Sequence, residues 1–301
     1  MPLPTFPSDT GATAPQTPDQ PLVLDARTLL RRYDLHAKKS WGQNFLVDER
    51  SYSAIVAACR LAKDDVAVEI GAGLGTLTSR LLATGATVIA VERERDMCSV
   101  LRSELGAEPR FVLREENALH VDFDVLAAQY GRRLLLVGNL PYQIASPLIF
   151  RFLAMRSSLR RIVIMIQREM ADRVLAPPGS RDSNALGVQV QMVCAVRRVC
   201  QVGRGAFLPP PRVDSSVISL EPLPGTAVPL RDLDTFHHVV RAAFGQRRKT
   251  LRNALSAVFP DDVMARFSAC GVDLSRRGET LSLAEFAALS DAVPPPSSHP
   301  A

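Results

Sequence analysis

Two short runs of this 301-residue chain combine residue types whose spacing could do chemistry. The first, Glu69-Ile70-Gly71-Ala72-Gly73-Leu74-Gly75-Thr76, follows a Val-rich run and precedes a helical stretch. Glycines at such a turn let the backbone bend sharply and let a ligand approach where a Cβ would stand in the way. Glu92 stands about 20 residues on, at the end of the next apolar run, where an acid accepts hydrogen bonds from a ribose diol. The plainer alternative is a tight strand-to-helix turn and a surface glutamate. A dinucleotide fingerprint reads G-x-G-x-x-G; here the spacing is G-x-G-x-G with Thr76 at the third position, which counts against NAD. Glu69 would repel a pyrophosphate yet tolerate the amino-acid or sulfonium charge of a ligand such as S-adenosylmethionine.

The second run is Asn139-Leu140-Pro141-Tyr142, behind the apolar stretch Leu134-Leu135-Leu136-Val137-Gly138. An adenine amine that attacks a methyl group needs acceptors for its two hydrogens and a lone pair aimed at the sulfonium. The Asn139 side-chain oxygen and the Leu140 carbonyl could accept those hydrogens. Pro141 lacks an N–H and fixes the turn, and Tyr142 offers a ring for the base to stack on. Phe207, just ahead of Pro209-Pro210-Pro211, could supply the opposite aromatic face. The alternatives are a strand-ending turn with a packed aromatic and a core Phe under a rigid linker. In-line transfer from a sulfonium requires placement and exclusion of water rather than a metal or a covalent nucleophile.

Elements of a definite kind must position these runs. Short Val- and Ile-rich stretches at 66–70, 87–91, 110–113, 134–137 and 161–166 alternate with helix-like stretches such as 76–83 and 96–105. That alternation predicts strands buried on both faces with helical crossovers, the doubly wound α/β class. Runs at 188–193 and 196–202 are expected to pair as an antiparallel edge. Beyond the Pro222–Pro229 linker, strand signals stop. Phe236, Val239, Val240, Ala243 and Phe244 follow one helix face, with Asp232 or Asp234 as its cap. Further helices are expected at 248–258, 261–270 and 283–293. The expected division is a disordered tail over 1–24, a Rossmann-like domain over 25–221, a helical domain over 222–293 and a disordered tail over 294–301.

Composition narrows the function classes. Hydrophobic residues make up 47% and charged residues 22%, which argues against a wholly disordered, collagen-like or membrane-embedded chain. No stretch approaches the ~20 apolar residues of a membrane span, and the first twenty residues lack a signal-peptide pattern. Five scattered cysteines without a C-x-x-C pair read as reduced thiols of a cytosolic protein, and the five histidines show no metal-ligand spacing. The net charge of +5 is too small to establish nucleic-acid binding by itself. Arg247, Arg248, Lys249 and Arg252, however, cluster at a predicted helix start, where cations oppose the helix dipole. Phosphate binding would account for them, with Lys38 and Lys39 adding to the footprint.

Together with the Gly71–Gly75 turn, four further blocks resemble the KsgA/RsmA family of small-subunit ribosomal RNA adenine dimethyltransferases. They are Lys38-Lys39-Ser40-Trp41-Gly42-Gln43-Asn44-Phe45-Leu46, Asn139 to Ser146, Phe207 to Ser215, and Phe244 to Asn253. The resemblance covers residues 33–293. It implies a Rossmann-like methyltransferase domain followed by a small helical RNA-binding domain. It also implies S-adenosylmethionine-dependent dimethylation of two adjacent adenines near the 3′ end of small-subunit rRNA, on free rRNA or the assembling subunit. By motif position, Asn44, Leu46, Gly71, Gly73, Glu92, Asn117 and Asn139 would hold the methyl donor. Asn139, Leu140, Pro141, Tyr142 and Phe207 would hold the target base. A cytoplasmic monomer without metal or membrane partner is expected. Two positions depart from the family pattern: Asn117 where Asp is usual, and Gln143 where Asn is common. The rival readings are a large-subunit rRNA dimethyltransferase of the antibiotic-resistance kind and a non-catalytic ribosome-assembly factor. The Gln246-Arg247-Arg248-Lys249 block weighs against the first, and the presence of Asn139 and Tyr142 against the second.

Overall fold

The computed structural model describes residues 23–36, 43–246 and 248–294. Among them are two short strands, β1 (Phe45–Leu46) and β8 (Phe207–Leu208), and seven that build one sheet. These seven are β2 (Val66–Ile70), β3 (Thr87–Glu92), β4 (Phe111–Glu115), β5 (Leu134–Asn139), β6 (Leu159–Gln167), β7 (Cys194–Val202) and β9 (Ser215–Pro222). Their order across the sheet is β4-β3-β2-β5-β6-β9-β7. The first five strands run parallel, while β9 is antiparallel to both β6 and β7. β2 is buried at all five positions, as a strand covered on both faces must be.

Alternate strand residues serve opposite cores. Ala67, Val88, Leu135, Val137, Val163 and Val217 pack with apolar residues of α1 (Ala26–Arg32), α2 (Glu49–Cys59), α3 (Thr76–Leu82) and α4 (Arg95–Leu105). Val68, Ile89, Leu136, Ile164 and Ile218 face the other way, toward α5 (Phe123–Tyr130), α6 (Ala145–Ala154), α7 (Arg168–Leu175) and α8 (Ala185–Val193). The C-terminal helices are α9 (Leu233–Gly245), α10 (Leu251–Leu255), α11 (Asp261–Ala269) and α12 (Leu283–Ala292). They join this second core through Phe236, Val239 and Phe286. One continuous apolar core therefore lies on both sides of the expected 221/222 division.

One expected element is corrected. The run 188–193 is not a strand; it lies in α8, and the neighbour of β7 is β9. The reason is the start of the segment, where the Asn184 side chain accepts from the Gly187 N–H at 3.0 Å and caps a helix. Burial of Val188, Val190, Met192 and Val193 then makes its apolar pattern continuous rather than periodic. Asp232 is the cap of α9, accepting from Thr235 N–H at 2.7 Å. The expected disordered tails fall mostly outside the described residues. Within them, Leu24 is only 5% exposed and its N–H donates to Ser79 Oγ at 3.1 Å, which anchors this residue to α3. Among the described residues no helix is long and apolar enough to cross a membrane.

Candidate active site

A cavity of about 390 Å³ opens at the C-terminal ends of β2, β3 and β5, where ligands of open α/β sheets bind. The turn after β2 forms its floor. Gly71 (φ 72°) and Gly73 (φ 55°) are both left-handed, a conformation that side chains resist. Gly138 opposes Ile70 in the β2–β5 ladder, where a Cβ would lie 2.5 Å from the Ile70 carbonyl oxygen. A glycine here lets β5 sit close against β2.

Backbone donors aim the acid at the end of β3. Gly73 N–H donates to Glu92 Oε2 at 3.0 Å, and the N–H groups of Arg93 and Glu94 donate to Oε1 at 2.8 and 2.9 Å. A carboxylate has about four acceptor positions, so capacity for a ligand hydroxyl remains. Glu69 also lines the cavity and is 2% exposed, with the Thr78 hydroxyl donating to its Oε2 at 2.5 Å. Burial pushes the Glu69 carboxyl up to about 8; the Thr78 bond opposes this and the Glu92 charge reinforces it.

The wall toward the N-terminus is held by contacts that sequence patterns do not announce. Tyr52 of α2 donates to the Leu46 carbonyl at 2.6 Å and lies 2.7 Å from Thr76 Oγ1, tying β1 to the start of α3. Its phenol is pushed up to about 12 by burial. Gln43 Nε2 donates to Glu94 Oε2 across the rim. At the far rim Asn117 caps a short 3-10 turn, its Oδ1 accepting from Leu119 N–H at 3.1 Å.

On the acceptor side, Asn139 Nδ2 donates to the Asn44 carbonyl at 3.5 Å, which leaves Oδ1 as the acceptor. Leu140 is buried and its N–H donates to Met165 O at 3.0 Å, fixing the turn into Pro141. The Tyr142 hydroxyl lies 3.0 Å from Ser215 Oγ at the start of β9.

Asn44, Leu46, Gly71, Gly73, Glu92, Asn117, Asn139, Leu140, Pro141 and Tyr142 all line this one cavity, and Gln143 joins them. Phe207 does not. It is 3% exposed in β8, opposite Leu46 in a two-residue ladder that backs the cavity wall. Arg248, Lys249 and Arg252 lie at and just before α10, on the C-terminal helices and away from the cavity. Lys38, Lys39 and Arg247 lie outside the described residues. Sequence reasoning missed Tyr52, Gln43, Glu94 and Ser215. Gln43 and Ser215 fall inside recognised blocks, whereas Tyr52 carries no signal beyond its place on a helix.

The ribosomal RNA adenine dimethylase family model matches residues 34–293. Ribosomal RNA small subunit methyltransferase A of Anaeromyxobacter sp. (strain K) is 50% identical over 275 residues, covering 87% of this chain and 95% of that protein. The protein of the same name from Clostridium perfringens is 40% identical over 272 residues, covering 90% and 95%. Among solved structures, a dimethyladenosine transferase from Plasmodium falciparum superposes with a TM-score of 0.69 at 26% identity, covering 81% of this chain and 95% of that one. The 23S rRNA methyltransferase ErmE shares the fold, with a TM-score of 0.64 at 22% identity over 83% of this chain and 99% of that one.

Proposed function

The chain belongs to the ribosomal RNA adenine dimethylase family, and from that premise we propose that it dimethylates two adjacent adenines near the 3′ end of small-subunit rRNA. S-adenosylmethionine is the methyl donor and the enzyme acts as a cytoplasmic monomer. The observation that carries the reading is the Asn139 amide, whose nitrogen is engaged by Asn44 while its oxygen stays available at the edge of the cavity.

The residues present fit the donor. Glu92, Glu94 and Glu116 line the cavity with Arg93 as the opposing charge, while burial keeps the Glu69 carboxyl protonated beside them; the lining suits a cationic ligand and is hostile to a pyrophosphate. Glu92, aimed by three backbone N–H groups, would take a ribose hydroxyl; Gly71 and Gly73 let the backbone come close; Asn44, Leu46 and Asn117 complete the enclosure. When bound, S-adenosylmethionine supplies an electrophilic methyl group whose leaving group is a neutral thioether. Asn139 Oδ1 and the Leu140 carbonyl accept from the adenine amine and orient its lone pair, and Tyr142 stacks on the base. Phe207 acts as a positioning residue, holding β1 and with it the Asn44 carbonyl. Placement of this kind is worth up to about 7–11 kcal/mol of a barrier. The 40–50% identity to proteins named for the small subunit favours that substrate over the large subunit.

The test incubates the protein with labelled S-adenosylmethionine and, in parallel reactions, unmethylated small and large ribosomal subunits, and maps the modified nucleotides. Two adjacent dimethylated adenines are expected; label confined to large-subunit rRNA, or none, overturns the reading.

A further inference from the structure

The end of the sheet opposite the cavity is crowded with arginines that the reaction does not use. Arg132 and Arg133 precede β5, Arg160 and Arg161 open β6, Arg197 lies in the first half of β7, and Arg60 is the left-handed cap that ends α2. Acids are fewer: Asp64 and Asp65 before β2, and Glu221 at the end of β9. Arg161 is 8% exposed. It pairs with Glu221 at 3.0 Å and reaches Ala58 O at 3.4 Å, but its Nε has no partner. Burial pulls its guanidinium below the usual range, and the charges of Arg60, Arg160 and Arg197 add to the pull.

Local structure explains part of this. Arg160 pairs with Asp65 and reaches Arg60 O, and Arg161 reaches Ala58 O, so both serve carbonyls at the end of α2. Arg132 and Arg133 donate to the carbonyls of Asp64 and Leu159. Arg60 and Arg197 are exposed and make no side-chain hydrogen bond or ion pair among the described residues, although they stand beside Arg160 and Arg161, whose charges already engage Asp65 and Glu221. Charges that work against local stability point to an external counter-charge, and exposed guanidiniums match phosphate oxygens.

We propose that this basic edge, centred on Arg60 and Arg197, grips the phosphates of a second rRNA segment in the folded small subunit, distinct from the strand that enters the cavity. The choice of RNA as partner rests on the proposed function. From Arg161 to Met165, which lines the cavity, β6 spans about 13 Å, and the two sites open at opposite ends of the sheet. A short single strand held in the cavity therefore leaves this edge free, whereas a structured subunit can present a second helix to it.

The test measures binding of the full chain to unmethylated small subunits over a range of salt, for the native protein and for R60Q/R197Q, R60K/R197K and R27Q/R266Q. The last pair removes the same charge from exposed sites elsewhere. Methyl transfer to a short RNA fragment spanning the target adenines is followed in parallel. For R60Q/R197Q, subunit affinity is expected to fall about tenfold and the salt slope by about 1.5. The lysine pair and the distant pair should remain within about twofold of native, and transfer to the fragment should be unchanged in all four. An unchanged salt slope in R60Q/R197Q, or an equal loss in R27Q/R266Q, overturns the inference. If the native protein methylates neither substrate, the proposed function fails, while the subunit-binding slopes still judge the arginines.

Discussion

The two ends of the sheet carry opposite charge, and the contrast separates what each end can hold. At the C-terminal ends of the parallel strands, the three charged glutamates Glu92, Glu94 and Glu116 surround a cavity with Arg93 as their opponent. At the N-terminal ends and their flanks, six arginines face Asp64, Asp65 and Glu221. A small cation is drawn into the first and a polyanion is repelled from it. On the proposed function, the neutral part of the cavity rim, Asn139 with Tyr142, is where an uncharged base would enter. RNA is thus best gripped away from the place where it reacts, and only the base needs to reach the acid-lined crevice.

Removing the neutral gate should have the largest effect. Asn139→Ala takes away the acceptor oxygen without touching the acidic lining. It is expected to lower kcat for methyl transfer by about 10²–10³-fold, the scale of a preorganised hydrogen-bonding group. Donor affinity, read by calorimetry, should stay within a few-fold. Transfer that persists within tenfold of native would mean that the base enters elsewhere.

Glu92→Gln weakens the acidic end next. The three backbone N–H groups that converge on this carboxylate would meet an amide with one oxygen in place of two. Hydrogen bonds to a charged group are worth about 1.5–3 kcal/mol, so donor affinity should fall roughly 10–100-fold. Equal affinity for the variant would remove Glu92 from the donor site.

Glu69 adds a pH dependence. Its carboxyl lies at about 8 in the folded chain against an ordinary value of 4.5, mainly because it is buried. Between those values the folded protein holds a proton that the unfolded chain lacks, so stability falls as pH rises. The contribution is complete below pH 4.5 and is lost as pH passes through about 8. Thermal unfolding of the ligand-free protein should show a steeper loss over this window than Glu69→Gln does. Parallel curves would mean that Glu69 is already ionised in the folded state.

Much of the central sheet was legible in the sequence because strands buried on both faces leave continuous Val- and Ile-rich runs. The expected strand at 66–70 coincides with β2, and those at 87–91 and 134–137 extend by one and two residues. The same rule misread 188–193, since a helix buried all round leaves the same mark; the Asn184 cap was the signal to weigh. β9 went unseen because its start lies within the Phe207 to Ser215 block, whose prolines dominate that stretch. Of the residues that line the cavity, Gly71, Gly73, Glu92 and Asn139 to Tyr142 stood out by type and spacing, whereas Asn44, Leu46 and Asn117 came only through the family resemblance. Orientation was not legible: Asn139 is turned by a carbonyl 95 residues away, and the position of Phe207 depends on a two-residue ladder with β1.

Asn117→Asp sharpens the contrast with the smallest expected effect. Asn117 Oδ1 is committed to the Leu119 N–H at 3.1 Å, so the amide nitrogen is the atom left over at a position lining the cavity. Aspartate keeps the cap, since either carboxylate oxygen can accept from Leu119, and turns that donor into an acceptor. It also adds a negative charge to an end that already favours cations. One additional hydrogen bond from a ligand amine is worth about 0.5–1.5 kcal/mol net, so donor affinity should rise by roughly threefold or somewhat more. Thermal stability should move little, because the turn and its cap remain. A fall in donor affinity would show that the native amide donates to the ligand, making the rim at residue 117 a hydrogen-bond donor surface and confining the acidic end to Glu92, Glu94 and Glu116.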